Sequence, residues 1–379
     1  MSDAYLDING STPVHPAVLE AYIESTRATC GNASASHPAG LLAQEHIAHA
    51  SAAAARALGA SSDEIWFTSG GTESNNWALK GLFAPGHGGH LVTTAIEHKS
   101  VLRSADALGR AGVAIDVVSV GDSGRVAVAD IARALRAETR VVSLMVANNE
   151  TGVLQPVREV AELCRARGVL LHCDAVAAIG KLPLDLRELG CDLLSISGHK
   201  LYAPKGCGVL YVRRGVALAP LIDGCGQQCG MRSGTENTAA VAALGRAFEL
   251  LAEGAFDAAR SPELRDRLWA GVRALEPRAL RNGEGPWLPN TLSVTFPGGI
   301  GAELQSALGA RGVHCAAGAA ATGSSPSHVL MAMGKGESHA RATLRFSLGH
   351  STSAGDIERA LAALAAALGV SSRLQGAHA

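Results

Sequence analysis

Between residues 64 and 212 the chain repeats one arrangement: a short apolar or β-branched run, a polar turn, then a stretch with helical spacing. The runs are Ile65-Trp66-Phe67-Thr68, His90-Leu91-Val92-Thr93-Thr94, Ala114-Ile115-Asp116-Val117-Val118 and Val141-Val142-Ser143-Leu144-Met145-Val146. They continue with Val169-Leu170-Leu171-His172-Cys173-Asp174, Leu193-Leu194-Ser195-Ile196-Ser197 and Gly208-Val209-Leu210-Tyr211-Val212. Apolar positions follow one another instead of alternating, as expected of strands covered by helices on both faces. Strand–helix alternation at this spacing predicts an α/β fold with a mainly parallel sheet of seven strands. Past residue 250 the pattern changes. A charged helical segment at 262–275 leads through Gly283-Glu284-Gly285-Pro286 to strand-like stretches at 291–296, 312–315 and 343–348, and an alanine-rich helix at 356–368 follows. This reads as a smaller α+β unit behind a larger α/β one.

Composition narrows the function classes. The 33 basic and 34 acidic residues nearly cancel, and no basic run is interleaved with aromatics, which argues against a nucleic-acid binder. The longest apolar stretch, around 360–370, falls short of the roughly 18 residues that suggest a membrane span. The start of the chain has no basic segment followed by an apolar run, so a signal peptide is not expected. The eight cysteines are scattered without a CxxC pair, which fits reduced thiols and a cytoplasmic location. Cys225 and Cys229 make at most half a metal site, and no metal is expected.

Three segments place polar or flexible residues where a predicted strand ends, which is where open α/β sheets bind ligands. The first, Thr68-Ser69-Gly70-Gly71-Thr72-Glu73-Ser74-Asn75-Asn76, follows a strand and opens a helix. Its glycines, its helix N-terminus and the Thr72 hydroxyl suit a phosphate; an ordinary Gly-rich turn with capping hydroxyls has the same spacing. The segment is neither a Walker loop nor GxGxxG, so no nucleotide fingerprint is present. The second is His172-Cys173-Asp174-Ala175, whose aspartate fits either a helix N-cap or a buried carboxylate. The third, Ser197-Gly198-His199-Lys200, puts a lysine at another strand end. A phosphate cup, a carboxylate against a pyridine nitrogen and a lysine for a Schiff base are the parts that pyridoxal 5'-phosphate requires.

Further segments extend the pattern: Tyr5-Leu6-Asp7, Gly31-Asn32, Glu97-His98, Ala147-Asn148-Asn149-Glu150-Thr151-Gly152 and Ala203-Pro204-Lys205-Gly206. Others are Arg232-Ser233-Gly234-Thr235-Glu236-Asn237, Pro326-Ser327-His328-Val329-Leu330 and Leu344-Arg345-Phe346-Ser347-Leu348-Gly349. With these, the chain resembles the cysteine desulfurase and selenocysteine lyase family of class V aminotransferase-fold enzymes over nearly its whole length. The resemblance implies a type I pyridoxal-phosphate-dependent transferase fold. A large cofactor-binding α/β domain is expected over residues 15–250, and a small α+β domain over 1–14 and 251–379. It implies that Lys200 links the cofactor and moves the substrate α-proton, that Asp174 pairs with the pyridine nitrogen, and that His98 stacks on the ring. Gly71, Thr72, Ser197 and His199 would hold the phosphate. Thr235 would reach the phosphate in a neighbouring subunit, which implies a homodimer with shared active sites. Arg345, supported by Asn149, would clamp the carboxylate of a small amino-acid substrate.

Two positions and one loop depart from the family pattern. The loop Ala317-Gly318-Ala319-Ala320-Ala321-Thr322-Gly323-Ser324-Ser325-Pro326 places Ala321 where the desulfurases carry their nucleophilic cysteine. Ala177 stands where a glutamine is usual, and the glutamine loop reads Gly224-Cys225-Gly226-Gln227-Gln228. An alanine cannot form a persulfide. The favoured expectation is therefore a natural C–S β-lyase that acts on cysteine or an S-substituted cysteine without a persulfide, its sulfur acceptor, if any, unspecified. A desulfurase inactivated by replacement of its cysteine, a decarboxylating or deaminating enzyme on a cysteine conjugate, and a catalytically silent partner protein are the alternatives. Cys315, six positions earlier, is expected to be a buried hydrophobe.

Overall fold

The computed structural model describes residues 3–83, 88–256, 260–318 and 325–369. Its strands are β1 (Ala4–Tyr5), β2 (Ile65–Thr68), β3 (His90–Thr94), β4 (Ala114–Val118), β5 (Thr139–Met145), β6 (Leu170–Asp174), β7 (Leu193–Ser197) and β8 (Gly208–Val212). Beyond these come β9 (Leu280–Arg281), β10 (Thr291–Thr295), β11 (Val313–His314), β12 (Ala316–Ala317) and β13 (Thr343–Ser347). All seven strand runs of the first part of the chain form strands. Five of them match their runs residue for residue; β5 begins two residues early, at Thr139, and ends at Met145, and β6 begins one residue late, at Leu170.

The seven-stranded sheet has the order β2-β8-β7-β6-β5-β3-β4. Strand β8 runs antiparallel to β2 and β7, while the other neighbours are parallel. Helices on both faces explain the continuous apolar runs. Leu91, Val141, Leu193 and Leu210 point into one core with Trp77 and Val101. Val92, Val142, Leu194 and Val209 point into a second with Ala54, Ile131 and Phe248. Each fully buried Val or Leu contributes about 1.5–3 kcal/mol, so a central strand such as β5 anchors both layers.

Among the helices that precede or thread this sheet are α1 (Pro16–Ala28), α2 (Pro38–Leu58), α3 (Gly71–Lys80) and α4 (Lys99–Arg110). Proline opens α1 and α2, where its missing N–H costs nothing, and His15 and His37 cap them by accepting backbone N–H groups. Both helices pack on the later helix Thr238–Ala252.

A second sheet, ordered β12-β13-β10-β9, lies in the C-terminal part. Its core includes Leu264, Leu268, Val294, Phe296, Phe346 and Leu364, and also takes in Ala4 and Leu6 from the start of the chain. Strand β1 pairs in parallel with β11 as a separate two-stranded sheet, and a bridge from Asp7 to Ser347 ties the N-terminal segment to β13. Cys315 is buried there, where desolvation pushes its thiol up to about 12. Among the described residues, no helix is long and apolar enough to cross a membrane.

Candidate active site

The carboxyl ends of β2, β3, β5, β6 and β7 open onto one cavity of about 470 Å³. Its lining includes Gly71, Thr72, His98, Asn149, Asp174, Ser197, His199 and Lys200, so eight of the residues named from the sequence meet in one place. Parallel strands make this possible, since their carboxyl ends fall on the same edge of the sheet.

At one end, β2 leads through Ser69-Gly70 into α3. Gly70 precedes the helix with no side chain capping it, which leaves the first N–H groups of α3 available to an anion. Gly71 sits so close to its neighbours that a Cβ there would fall 2.6 Å from Val176 Cγ2. Only glycine lets the backbone come in this far. Glu73 accepts from Ser69 N–H at 2.9 Å and pairs with Arg232 at 2.9 Å, fastening the Arg-Ser-Gly-Thr loop to the start of α3. His199 stays neutral. Burial, then Lys200 and other lysines, push it down to about 4.

Asp174 ends β6, and both its oxygens are held. Oδ1 accepts from Val176 N–H at 2.9 Å, and Oδ2 accepts from the Asn75 side-chain amide at 2.7 Å. Asn75 is buried on α3 and also donates to Ser100 Oγ at 2.9 Å. Asn75 lies within the motif at 68–76, where no role was expected of it; its signal in the sequence is a polar residue on the inward face of α3. His98 caps α4, and its Nδ1 accepts the Ser100 backbone N–H at 3.2 Å. A neutral imidazole bonded this way carries its proton on Nε2. Burial lowers the pKa of His98, so the neutral ring is favoured.

Lys200 follows β7 in the short turn Gly198–Lys200. Its ammonium donates to the carbonyls of Asn9 and Gly10, the latter at 2.6 Å. Burial, then the Arg345 charge, bring its pKa down to about 8. These N-terminal carbonyls were not anticipated, because nothing local to Asn9 or Gly10 marks them. Arg345 on β13 donates to the Asn149 carbonyl at 2.9 Å and pairs with Asp7 at 2.7 Å. The Asp7 pairing was not anticipated either. Thr235 stands apart: it is exposed and lines a neighbouring hollow with Arg232 and Gln228. Gln228 is used structurally, its amide exchanging two hydrogen bonds of 2.7 and 2.8 Å with the Phe67 backbone of β2. Ala177 lines the cavity without a polar group to offer. Ala321 lies outside the described residues.

The residues fit pyridoxal phosphate: an open helix N-terminus and a glycine cradle at one end, a doubly held carboxylate in the wall, and a partly deprotonated amine. A strand-edge cavity with that set defines the class, and the chain belongs to the class-V aminotransferase family, whose sequence pattern matches residues 4–360. Within it, the chain is 39% identical over 362 residues to the cysteine desulfurase IscS of Methanosarcina thermophila, covering 94% of this chain and 90% of the relative. It is 43% identical over 363 residues to that of Anaeromyxobacter sp. strain Fw109-5, covering 93% and 89%. Among solved structures, a NifS-like protein superposes with a TM-score of 0.90 at 36% identity, covering 97% of this chain and 99% of that one. One described as SspA in complex with cysteine does so with a TM-score of 0.81 at 35% identity, covering 91% and 98%. Likeness of this degree over most of the chain makes it an enzyme of the pyridoxal-phosphate cysteine desulfurase type.

Proposed function

We propose that this enzyme binds pyridoxal 5'-phosphate and cleaves the C–S bond of cysteine or an S-substituted cysteine by β-elimination, with no persulfide on the protein. The observation that carries the reading is the gathering of the predicted lysine, carboxylate, phosphate-cup and ring-stacking residues in one cavity, together with an alanine at position 321. When bound, the cofactor supplies an electron sink for negative charge developing at the substrate α-carbon. Gly71, Thr72, Ser197 and His199 would hold its phosphate, and Asp174 would keep a proton on its ring nitrogen. Lys200, with a pKa near 8, can take and return the α-proton at its Nζ. Arg345 would receive the substrate carboxylate. His98, with its proton on Nε2, would protonate the departing sulfur. The overall balance is S-substituted cysteine plus water giving a thiol, pyruvate and ammonia.

The names of the relatives support a second reading, a desulfurase whose nucleophile has been replaced. Incubation with a panel of S-alkyl cysteines separates the two: pyruvate and thiol from the unaltered chain support the lyase, and their absence across the panel sinks it. Alanine formation from free cysteine by Ala321→Cys, with none from the parent, favours the desulfurase. No visible-edge absorbance band in the purified protein, with no change in Lys200→Ala, would sink both enzyme readings and leave a catalytically silent protein. The proposal includes a cytoplasmic homodimer in which Thr235 serves the neighbouring site. Gel filtration at monomer size would contradict it. It also keeps the division into residues 15–250 and 1–14 with 251–379.

A further inference from the structure

Lys181 is a buried lysine with no part in the chemistry above. It is 8% exposed. It lies on the loop that continues from Asp174 and does not line the Lys200 cavity; it lines a separate hollow with Asp185 and Phe256. Taking an ammonium out of water is costly unless something inside uses it. Its Nζ donates to the backbone carbonyl of Lys200 at 3.1 Å.

The turn that carries Lys181 is built to sit against this spot. Lys181 N–H and Leu182 N–H both donate to the Ala178 carbonyl, at 3.0 and 3.1 Å. Gly180 has a positive φ of 71°, and a Cβ there would lie 3.0 Å from Leu201 Cδ1. The turn thus touches Leu201 through Gly180 and Lys200 through Lys181.

On the other side, the N-terminal segment grips the same residues. Asn9 and Gly10 accept from Lys200 Nζ, Thr12 N–H donates to the His199 carbonyl at 2.9 Å, and Thr12 Oγ1 accepts from Tyr202 N–H at 2.8 Å. Tyr202 has a positive φ of 56°, so the chain leaves Lys200 in a conformation that neighbours must hold. Without a contact on the Lys200 carbonyl, this clamp has one jaw.

We propose that Lys181 is a positioning residue for the cofactor-linking lysine: its side chain fixes the Lys200 carbonyl, and so the direction in which the Lys200 amine enters the cavity. The loop 174–181 then couples that direction to Asp174, the carboxylate at the other end of the same loop. Burial, then the nearby Lys200 charge, lower the pKa of Lys181 to about 7, and an N–H remains available to the carbonyl in either protonation state. The proposal rests on the reading of Lys200 as the residue that links the cofactor.

The test is the rate at which cofactor-free protein, mixed with pyridoxal phosphate, develops the visible-edge band of the lysine-linked cofactor. Lys181→Met is expected to slow that rate about tenfold with a melting temperature close to the parent's, and Lys181→Arg, which keeps a donor, to recover most of the rate. Lys181→Gln, with a shorter donor, falls between them, and carries the comparison if Lys181→Met does not fold. Equal rates in the parent and the methionine or glutamine variant would overturn the proposal alone. No band in the parent would overturn the reading of Lys200 and this proposal with it. A rate lost equally in Lys181→Arg and Lys181→Met would also overturn it, because bulk in the turn would then be the cause.

Discussion

The Lys200 amine stands near pKa 8, where an exposed lysine stands near 10.5, because it is buried and faces Arg345. Only the free amine attacks a carbonyl, so the rate of cofactor attachment is expected to rise as pH passes through about 8 and then level off. A rate that keeps rising towards 10.5 would contradict this. Asn75 offers a second test at this scale. Its amide holds Asp174 Oδ2 at 2.7 Å in a buried setting, and a hydrogen bond to a charged group is worth about 1.5–3 kcal/mol. Asn75→Leu is therefore expected to weaken cofactor binding roughly ten- to a hundredfold, read from fluorescence titration, with the fold retained. Lys200, Asp174 and Thr72 were legible in the sequence because each stands in a motif at a strand end. The roles of Asn75, Asn9 and Gly10 were not, because they depend on which element lies across the sheet from them.

Among elements, the turn after β3 carries Glu97, a fully buried acid. Its Oε1 accepts from Thr94 Oγ1 at 2.8 Å and from Met145 N–H at 2.9 Å, so it joins the ends of β3 and β5. Burial pushes it up to about 8 from an ordinary 4.5. A raised carboxyl pKa favours the protonated folded state. The stability it contributes is fully present below about 4.5 and is lost as pH rises through about 8. Glu97→Gln should flatten that decline, which urea denaturation across the window would measure. An unchanged slope would place the pH dependence elsewhere. The strands themselves were legible from seven uninterrupted apolar runs, since a strand covered on both faces leaves its mark in every residue. The limits of β5 and β6 were less so. Thr139 joins β5 through pairing with β3, and the exposed edge of β2 is completed by Gln228 from a distant loop. Pairing partners decide such ends, and the local sequence does not contain them.

For the molecule as a whole, the N-terminal segment connects two cores. Leu6 is fully buried among residues of the C-terminal sheet, while three and four residues on, Asn9 and Gly10 receive the Lys200 amine. Leu6→Ala is expected to cost about 2–5 kcal/mol in urea denaturation and to slow cofactor attachment as well. Loss of stability with an unaltered attachment rate would show that the segment does not transmit strain to Lys200. The sequence by itself determined the α/β class, the order of strands along the chain, the lysine, carboxylate and glycine motifs, and the alanine at position 321. These are recorded in local composition and periodicity. Only the tertiary structure decided that the motifs share one cavity, that Asp7 pairs with Arg345, and that Lys181 and the N-terminus hold Lys200 from two sides. Those contacts join residues up to 338 positions apart, and no local pattern of side chains encodes which distant backbone carbonyl an amine will meet.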